Sequence, residues 1–135
     1  MTDEIRSLAD EDKVWLQRAE SHLLTLLHTH YGNVSLTHSE PDLLIAQRLL
    51  DDGVVRKKDI LEMQCLGVVL GNVFASNTSM KWARVLNEYG DMLALHSDQI
   101  RFTLYPLTMI SKRVEESRVV DMPALYRSFK SDLGL

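Results

Sequence analysis

The feature that most constrains this chain is a nearly all-apolar segment that carries two glycines one helical turn apart. Residues 66–71 read Leu-Gly-Val-Val-Leu-Gly, inside a predicted helix over residues 57–75. Glycine costs about 1 kcal/mol in a helix interior, so Gly67 and Gly71 indicate that another backbone approaches the helix closely. A phosphate-binding glycine loop would need a preceding strand and a lysine, which this segment lacks. The helix is apolar on nearly every side and is therefore expected to be the central element of the fold.

Two helices are predicted before this segment. Apolar residues recur every three or four positions from Asp10 towards Gly32, which is typical of an amphipathic helix. Glu11 and Asp12 lie where the positive end of the helix dipole favours acids. A short helix is predicted over residues 41–51, where a serine cap precedes a proline in the first turn.

The residues after the central helix predict a small antiparallel sheet. Residues 80–86 and 91–96 are typical of two strands around a tight turn, at which Gly90 supplies the backbone freedom. Residues 99–105 alternate apolar and polar side chains, the period of a half-buried strand. Pro106 ends that strand and begins a helix to residue 116, and a last helix is expected to end near residue 132.

The composition fits this arrangement of elements. Hydrophobic residues make up 45% of the chain and charged residues 25%, as in ordinary globular proteins. The sequence therefore predicts a single α+β domain over residues 1–135, with three N-terminal helices, a three-stranded antiparallel meander and two C-terminal helices.

The net charge of −4 is unevenly distributed along the chain. Residues 1–53 hold ten acids and four bases, a net charge of −6, whereas residues 54–135 hold nine acids and eleven bases, a net charge of +2. An acidic side attracts basic partners and repels phosphate backbones, so nucleic acid is not expected as a ligand. Charge that serves solubility alone is the alternative explanation.

The single cysteine and the first six residues indicate the cellular compartment in which the chain is expected. Cys65 has no partner for a disulfide within the chain, which favours a reducing compartment, the cytoplasm. The first six residues carry acids where a secretory signal would carry bases. No apolar segment is expected to reach membrane-spanning length, so no membrane is expected as a partner.

The sequence contains no recognisable catalytic or metal-binding motif. The five histidines are not spaced as zinc ligands, and Cys65 lies in the middle of an apolar helix, the setting of an inert thiol. No Gly-x-Ser-x-Gly motif is present. Adjacent carboxylates on a helix diverge by about 100°, so the paired acids of this chain cannot share a substrate. No metal or cofactor is expected.

One dense mixed-charge cluster allows two interpretations. Lys112 lies three and four residues from Glu115 and Glu116, a spacing that favours local ion pairs on a helix. Alternatively, the five-donor fork of Arg113 holds a carboxylate, a strand-end carbonyl or a partner. In an enzyme, Lys112 and Arg113 would hold an anionic substrate while Glu115 acts as acid or base.

Aromatic and arginine side chains are the other candidates for binding. Trp82 and Tyr105 are expected to pack in the core or on the sheet, although residues of these types dominate binding hot spots. The residues predicted to contact a partner are Asp10, Glu11, Asp12, Trp15, Asp51, Asp52, Tyr89, Arg101 and Arg113.

Several short motifs in the second half of the chain carry a resemblance. They are L-G-V-V-L-G at 66–71, W at 82, Y-G at 89–90, L-A-L at 93–95, Y-P at 105–106, M-I-S-K-R-V-E at 109–115 and V-V-D-M-P-A-L at 119–125. With these motifs the chain resembles a small bacterial family that is classed as a domain of unknown function, and it is loosely similar to bacterial toxin immunity proteins. The resemblance implies a stand-alone α+β domain and no catalytic residue. Its recurrent residues are of the types that fix backbone geometry and packing: Gly67, Gly71, Trp82, Gly90, Pro106 and Arg113.

The sequence thus favours binding over catalysis. The hypothesis is a non-enzymatic cytoplasmic protein, an immunity-type inhibitor that neutralises a basic bacterial toxin through an acidic surface. Two alternatives stay open: a small enzyme that uses Lys112, Arg113 and Glu115, and a homodimeric module that pairs through the free edge of the third strand or an apolar helix face.

Overall fold

A computed structural model describes residues 3–135. Met1 and Thr2, which belong to the segment that bears on a secretory signal, lie outside the described residues. The elements are β1 (Glu4–Arg6), α1 (Asp10–Tyr31), α2 (Pro41–Asp51), α3 (Ile60–Asn77), β2 (Lys81–Asn87), β3 (Gly90–Ser97), β4 (Phe102–Leu104), α4 (Pro106–Glu115) and α5 (Met122–Asp132). The strands form one antiparallel sheet in the order β1-β2-β3-β4. The predicted α+β class is confirmed.

The prediction of a three-stranded sheet is wrong, because the structure adds a fourth strand before α1. β1 pairs antiparallel with β2 and places Ile5 opposite Val85. β1 is only three residues long and all three are exposed, so it is too short to show the alternation over four to eight residues by which a half-buried strand is recognised. The predicted meander is present as β2, β3 and β4, and β1 extends it at one edge.

Two predicted element starts move by three residues, those of α3 and β4. α3 begins at Ile60 and not at residue 57, because the carboxylate of Asp59 accepts a hydrogen bond from the backbone N–H of Arg56 at 2.9 Å and turns the chain before the helix. β4 is shorter than residues 99–105, because a turn with Arg101 at a φ of +52° precedes it.

α3 is the central element. Ten of its residues are buried, and it contacts α1, α2, α4, α5 and β2. Contrary to the expectation from the sequence, α3 is long and apolar enough to span a membrane by length and composition, but 56% of that window is buried inside the protein. The burial is that of a helix surrounded by other elements of its own chain.

Different groups pack against the two glycines of α3. A Cβ atom on Gly67 would lie 2.8 Å from the carbonyl carbon of Pro106 and 2.9 Å from the Cα of Leu107, so the backbone of α4 occupies this position. A Cβ atom on Gly71 would instead collide with the indole ring of Trp82, 2.5 Å from its Cη2. The expectation that a backbone approaches both glycines is therefore wrong at Gly71, where an aromatic ring fills the space.

Candidate functional site

Part of the predicted partner-binding set comes together in one open groove of about 480 Å³ between α1, the sheet and the start of α4. We call it the Trp15 groove and define it by its charged and aromatic lining residues: Glu11, Asp12, Trp15, Arg84, Asp91 and Tyr105. Met92, Leu93 and Leu107 add apolar surface to its walls. The groove thus combines aromatic rings and apolar surface, which are enriched in protein interfaces, with a polar, acidic rim.

A buried ion pair forms one side of the Trp15 groove. Asp12 is 3% exposed, and its carboxylate accepts hydrogen bonds from Nε of Arg84 at 3.1 Å and from Nη2 of the same side chain. The backbone N–H of Ala9 donates to the same carboxylate at 2.9 Å. The hydrogen bonds from Arg84 hold the pKa of Asp12 below its ordinary value although burial opposes this. Asp12 is therefore an internal anchor that joins α1 to β2, and not an exposed contact as the sequence predicts.

The other acids face solvent: Glu11 and Asp91 line the groove, and Asp10 lies beside it. Asp10 and Glu11 are exposed in the first turn of α1, and the side chain of Asp91 is 57% exposed. Tyr89 is 82% exposed in the turn between β2 and β3, two residues before Asp91. Since Arg84 is already paired with Asp12 and lies 3.4 Å from Asp91, negative charge predominates along this rim.

Trp15 separates the groove from a second depression on the other side of its ring. Trp15 is half-buried, and Leu61 and Cys65 also line that depression. Burial raises the pKa of Cys65 to about 11, so the thiol stays protonated at neutral pH. Within residues 3–135, no three His, Cys, Asp or Glu side chains are arranged to hold a metal ion.

The other predicted acids lie elsewhere. Asp52 accepts a hydrogen bond from the hydroxyl of Tyr31 at 2.6 Å, and Tyr31 ends the helix that Asp10 begins. These two helix ends are about 30 Å apart along the axis of α1. Asp51 accepts a hydrogen bond from Nε2 of Gln47 at 2.9 Å. The acids therefore form two separate groups, and the single acidic surface predicted from residues 1–53 is wrong in this respect.

The chain matches one family of known proteins. The family model "Domain of unknown function (DUF3806)" matches residues 42–126, more than half of the chain. The chain belongs to this family. The predicted resemblance is thereby confirmed and extends over more than the second half, from α2 into α5, whereas the similarity to immunity proteins stays a prediction. No curated protein matches the chain.

A crystal structure of a protein from Bacteroides thetaiotaomicron VPI-5482 has the same fold. The two structures align with a TM-score of 0.83 at 14% sequence identity, over 95% of this chain and 47% of the other. The chain thus spans about half the length of that protein. At this identity the likeness shows the fold alone.

The DUF3806 region contains Arg101 and Arg113, and they lie apart from each other. Arg101 is exposed in the turn before β4. Arg113 donates from Nη1 to the carbonyl of Met109 at 3.0 Å, within its own helix and not to a strand end. Burial lowers its pKa, and the nearby Arg118 lowers it further.

The residues of the enzyme hypothesis do not converge on one cavity. The depression beside Arg113 has a volume of about 240 Å³, and neither Lys112 nor Glu115 lines it. Glu116 pairs with Arg118 at 3.3 Å, so the predicted pairing of Lys112 with Glu116 is replaced by a contact beyond the end of the helix. Arg113 therefore forms its hydrogen bond within its own helix.

Arg84 and Asp91 line the Trp15 groove but are not among the contact residues predicted from the sequence. Arg84 lies two residues after Trp82 on β2, so both side chains point to the same face of the sheet. Trp82 packs against Gly71 on that face, and its Nε1 donates to Oδ1 of Asn72 at 2.9 Å. A charged residue on the helix-covered face of a strand needs a partner of opposite charge. The position of Arg84 on the same face as Trp82 is therefore the sequence signal that indicates a buried ion pair.

Proposed function

We propose that the chain is a binding protein that contacts a basic partner protein through the Trp15 groove. The observation that carries the proposal is the charge balance of the groove: Arg84 is paired with the buried Asp12, while Glu11 and Asp91, which line the groove, face solvent. Asp10 adds an exposed carboxylate beside the groove, in the first turn of α1. Exposed acids raise the association rate with a basic partner, and a half-buried tryptophan offers the contact area of a binding hot spot.

The more specific proposal is that the partner is a bacterial toxin and the chain its cytoplasmic immunity-type inhibitor. An inhibitor needs only a surface that fits its target and no reaction chemistry. A rigid groove with a fixed ion pair beneath an acidic rim suits that task, because binding then orders few side chains. The shape of the groove depends on α3, which supports both α1 and α4.

Affinity capture from the native host tests the proposal. Tagged wild-type protein, Trp15→Ala and Phe102→Ala would be used in parallel, and the captured proteins quantified by mass spectrometry. Phe102 is 39% exposed on β4 and does not line the groove, so it is a matched aromatic control. We expect a basic protein that is retained by the wild type and by Phe102→Ala and lost with Trp15→Ala. Equal capture by all three proteins, or an acidic partner, would contradict the proposal.

Association rates separate the two acidic groups. With the captured partner, stopped-flow rates should fall for Asp10→Asn and Glu11→Gln, and the loss should shrink as salt is added. Asp51→Asn should leave the rate unchanged, because Asp51 lies beside Asp52 near the far end of α1, whereas Asp10 and Glu11 begin that helix next to the groove. A rate that responds to all three substitutions alike would show that net charge matters and the groove does not.

A further inference from the structure

A second groove, of about 490 Å³, lies between the α2–α3 connection and the α4–α5 connection. It shares no lining residue with the Trp15 groove. We call it the basic groove after the three cationic residues that line it, Arg56, Lys57 and Arg118. All three are exposed, and the one acid among the described lining residues, Asp51, is hydrogen-bonded to Gln47.

The cations of the basic groove have little internal compensation. Within the described part of the chain, Arg56 and Lys57 form no salt bridge, and Arg118 has one solvent-exposed contact to Glu116. Burial lowers the pKa of the neighbouring Arg113, and the charge of Arg118 lowers it further. Like charges gathered in this way repel each other, and a bound anion would relieve that repulsion.

An apolar component accompanies the charge. Val55 and Met63 are buried beneath the groove, while Val119 is 94% exposed at its rim. Val119 also lines the depression beside Arg113, which Asp121 lines as well, so it forms a ridge between the basic groove and a recess of mixed charge. Val119 thus offers an apolar contact beside the three cations, which suits a ligand that has both an anionic and an apolar part.

The ridge is held in place by Gln47. Its Nε2 donates to the carbonyl of Val120 at 2.8 Å, and its Oε1 accepts from the backbone N–H of Met122 at 2.8 Å. These bonds tie the segment that carries Val119 to α2. The groove is therefore formed before any ligand arrives, which lowers the entropic cost of binding.

We propose that the basic groove binds an acidic peptide segment of a partner protein, with an apolar side chain against Val119 and the groove floor and flanking carboxylates on Arg56, Lys57 and Arg118. The concave shape favours a peptide over a membrane, because a flat lipid surface would leave the floor empty. The proposal is independent of the Trp15 groove.

Fluorescence anisotropy with a labelled peptide tests this proposal, the peptide having a central leucine flanked by glutamates. We expect saturable binding to the wild type at low salt. Arg118→Glu and Arg56→Glu should each weaken it about fivefold, the effect of one exposed charge pair. Val119→Ser should also weaken it. Lys58→Glu is the matched control, because Lys58 is exposed on the same connection but does not line the groove.

The possible outcomes separate this proposal from its rivals. Unchanged binding in Lys58→Glu and Trp15→Ala, together with loss in the groove variants, would support it. Equal loss in Lys58→Glu and Arg118→Glu would reduce the effect to net charge and overturn it. Absence of peptide binding to the wild type would also overturn it, as would groove-dependent binding to phosphatidylserine vesicles alone. Melting temperatures equal to that of the wild type would show that these exposed substitutions leave the fold intact.

Discussion

The ion pair between Asp12 and Arg84 predicts an asymmetry between its two partners. Asp12 is 3% exposed, whereas the side chain of Arg84 is 32% exposed. Arg84→Met leaves a buried carboxylate with the N–H of Ala9 as its remaining partner, and loss of one member of a buried pair costs about 3–5 kcal/mol. Because Arg84 is partly solvated, we expect the lower end, about 3 kcal/mol. Asp12→Ala leaves a guanidinium that can reach water and Asp91, and should cost about 1–2 kcal/mol.

The pH dependence gives a second constraint on the same pair. The folded-state pKa of Asp12 is lowered, so its contribution to stability is present above its ordinary pKa of about 3.9 and is lost as the pH falls below that value. In Arg84→Met the buried Asp12 can take up a proton and become neutral, which avoids an unpaired buried charge. At pH 7, about three units above the ordinary pKa, this protonation costs about 4 kcal/mol, so the loss in the free energy of unfolding cannot exceed that value. The penalty should therefore shrink as the pH falls from 7 to about 3.

Denaturant unfolding of the wild type and of both variants across this pH range measures these effects. A penalty for Asp12→Ala that equals or exceeds that of Arg84→Met would refute the reasoning from burial. A penalty for Arg84→Met that does not change with pH would show that Asp12 is not charged in the folded protein.

Four further predictions concern the core and one helix end. Gly67→Ala should destabilise the protein by about 2 kcal/mol in denaturant unfolding, because the backbone of α4 cannot retreat from the added methyl group. Gly71→Ala should be rescued in part by Trp82→Leu, since the obstacle there is a side chain, and a lack of rescue would place the obstacle elsewhere. Ser117 has a φ of +56° after α4, so Ser117→Gly should raise the free energy of unfolding by about 0.5–1 kcal/mol, and a lower melting temperature would contradict this. Cys65 is fully buried with a pKa of about 11, so its thiol should react with a disulfide reagent at pH 8 no faster than the protein unfolds. Rapid reaction of the folded protein would refute it.

Much of the helical framework could be predicted from local sequence signals. Pro41, Pro106 and Pro123 each stand in the first turn of a helix, where the missing N–H and the fixed φ of proline are favourable. The bounds of α2 agree with the prediction for the same reason. β1 could not be predicted, because three residues are too few to show a strand period and the strand exists through its pairing with β2, about eighty residues away.

The candidate site was only partly accessible from the sequence. Glu11 and Trp15 could be selected as acidic and aromatic residues of one helix, but the partner of Asp12 lies on β2, and nothing local connects them. The charge count over residues 1–53 groups Asp51 and Asp52 with the acids of α1, because all of them lie in the same part of the chain. The fold places α2 so that these two acids lie at the other end of α1, because charge counted along a sequence is not charge on a surface.

If the chain acts through contacts at the Trp15 groove, a bound partner must cover the residues that line it. Hydrogen–deuterium exchange of the chain with and without its captured partner measures this. We expect protection on binding to be concentrated at residues 10–15 and 84–93, with α5 unchanged. Protection confined to α5 or to the edge at β4, with the first turns of α1 exchanging as in the free protein, would contradict it.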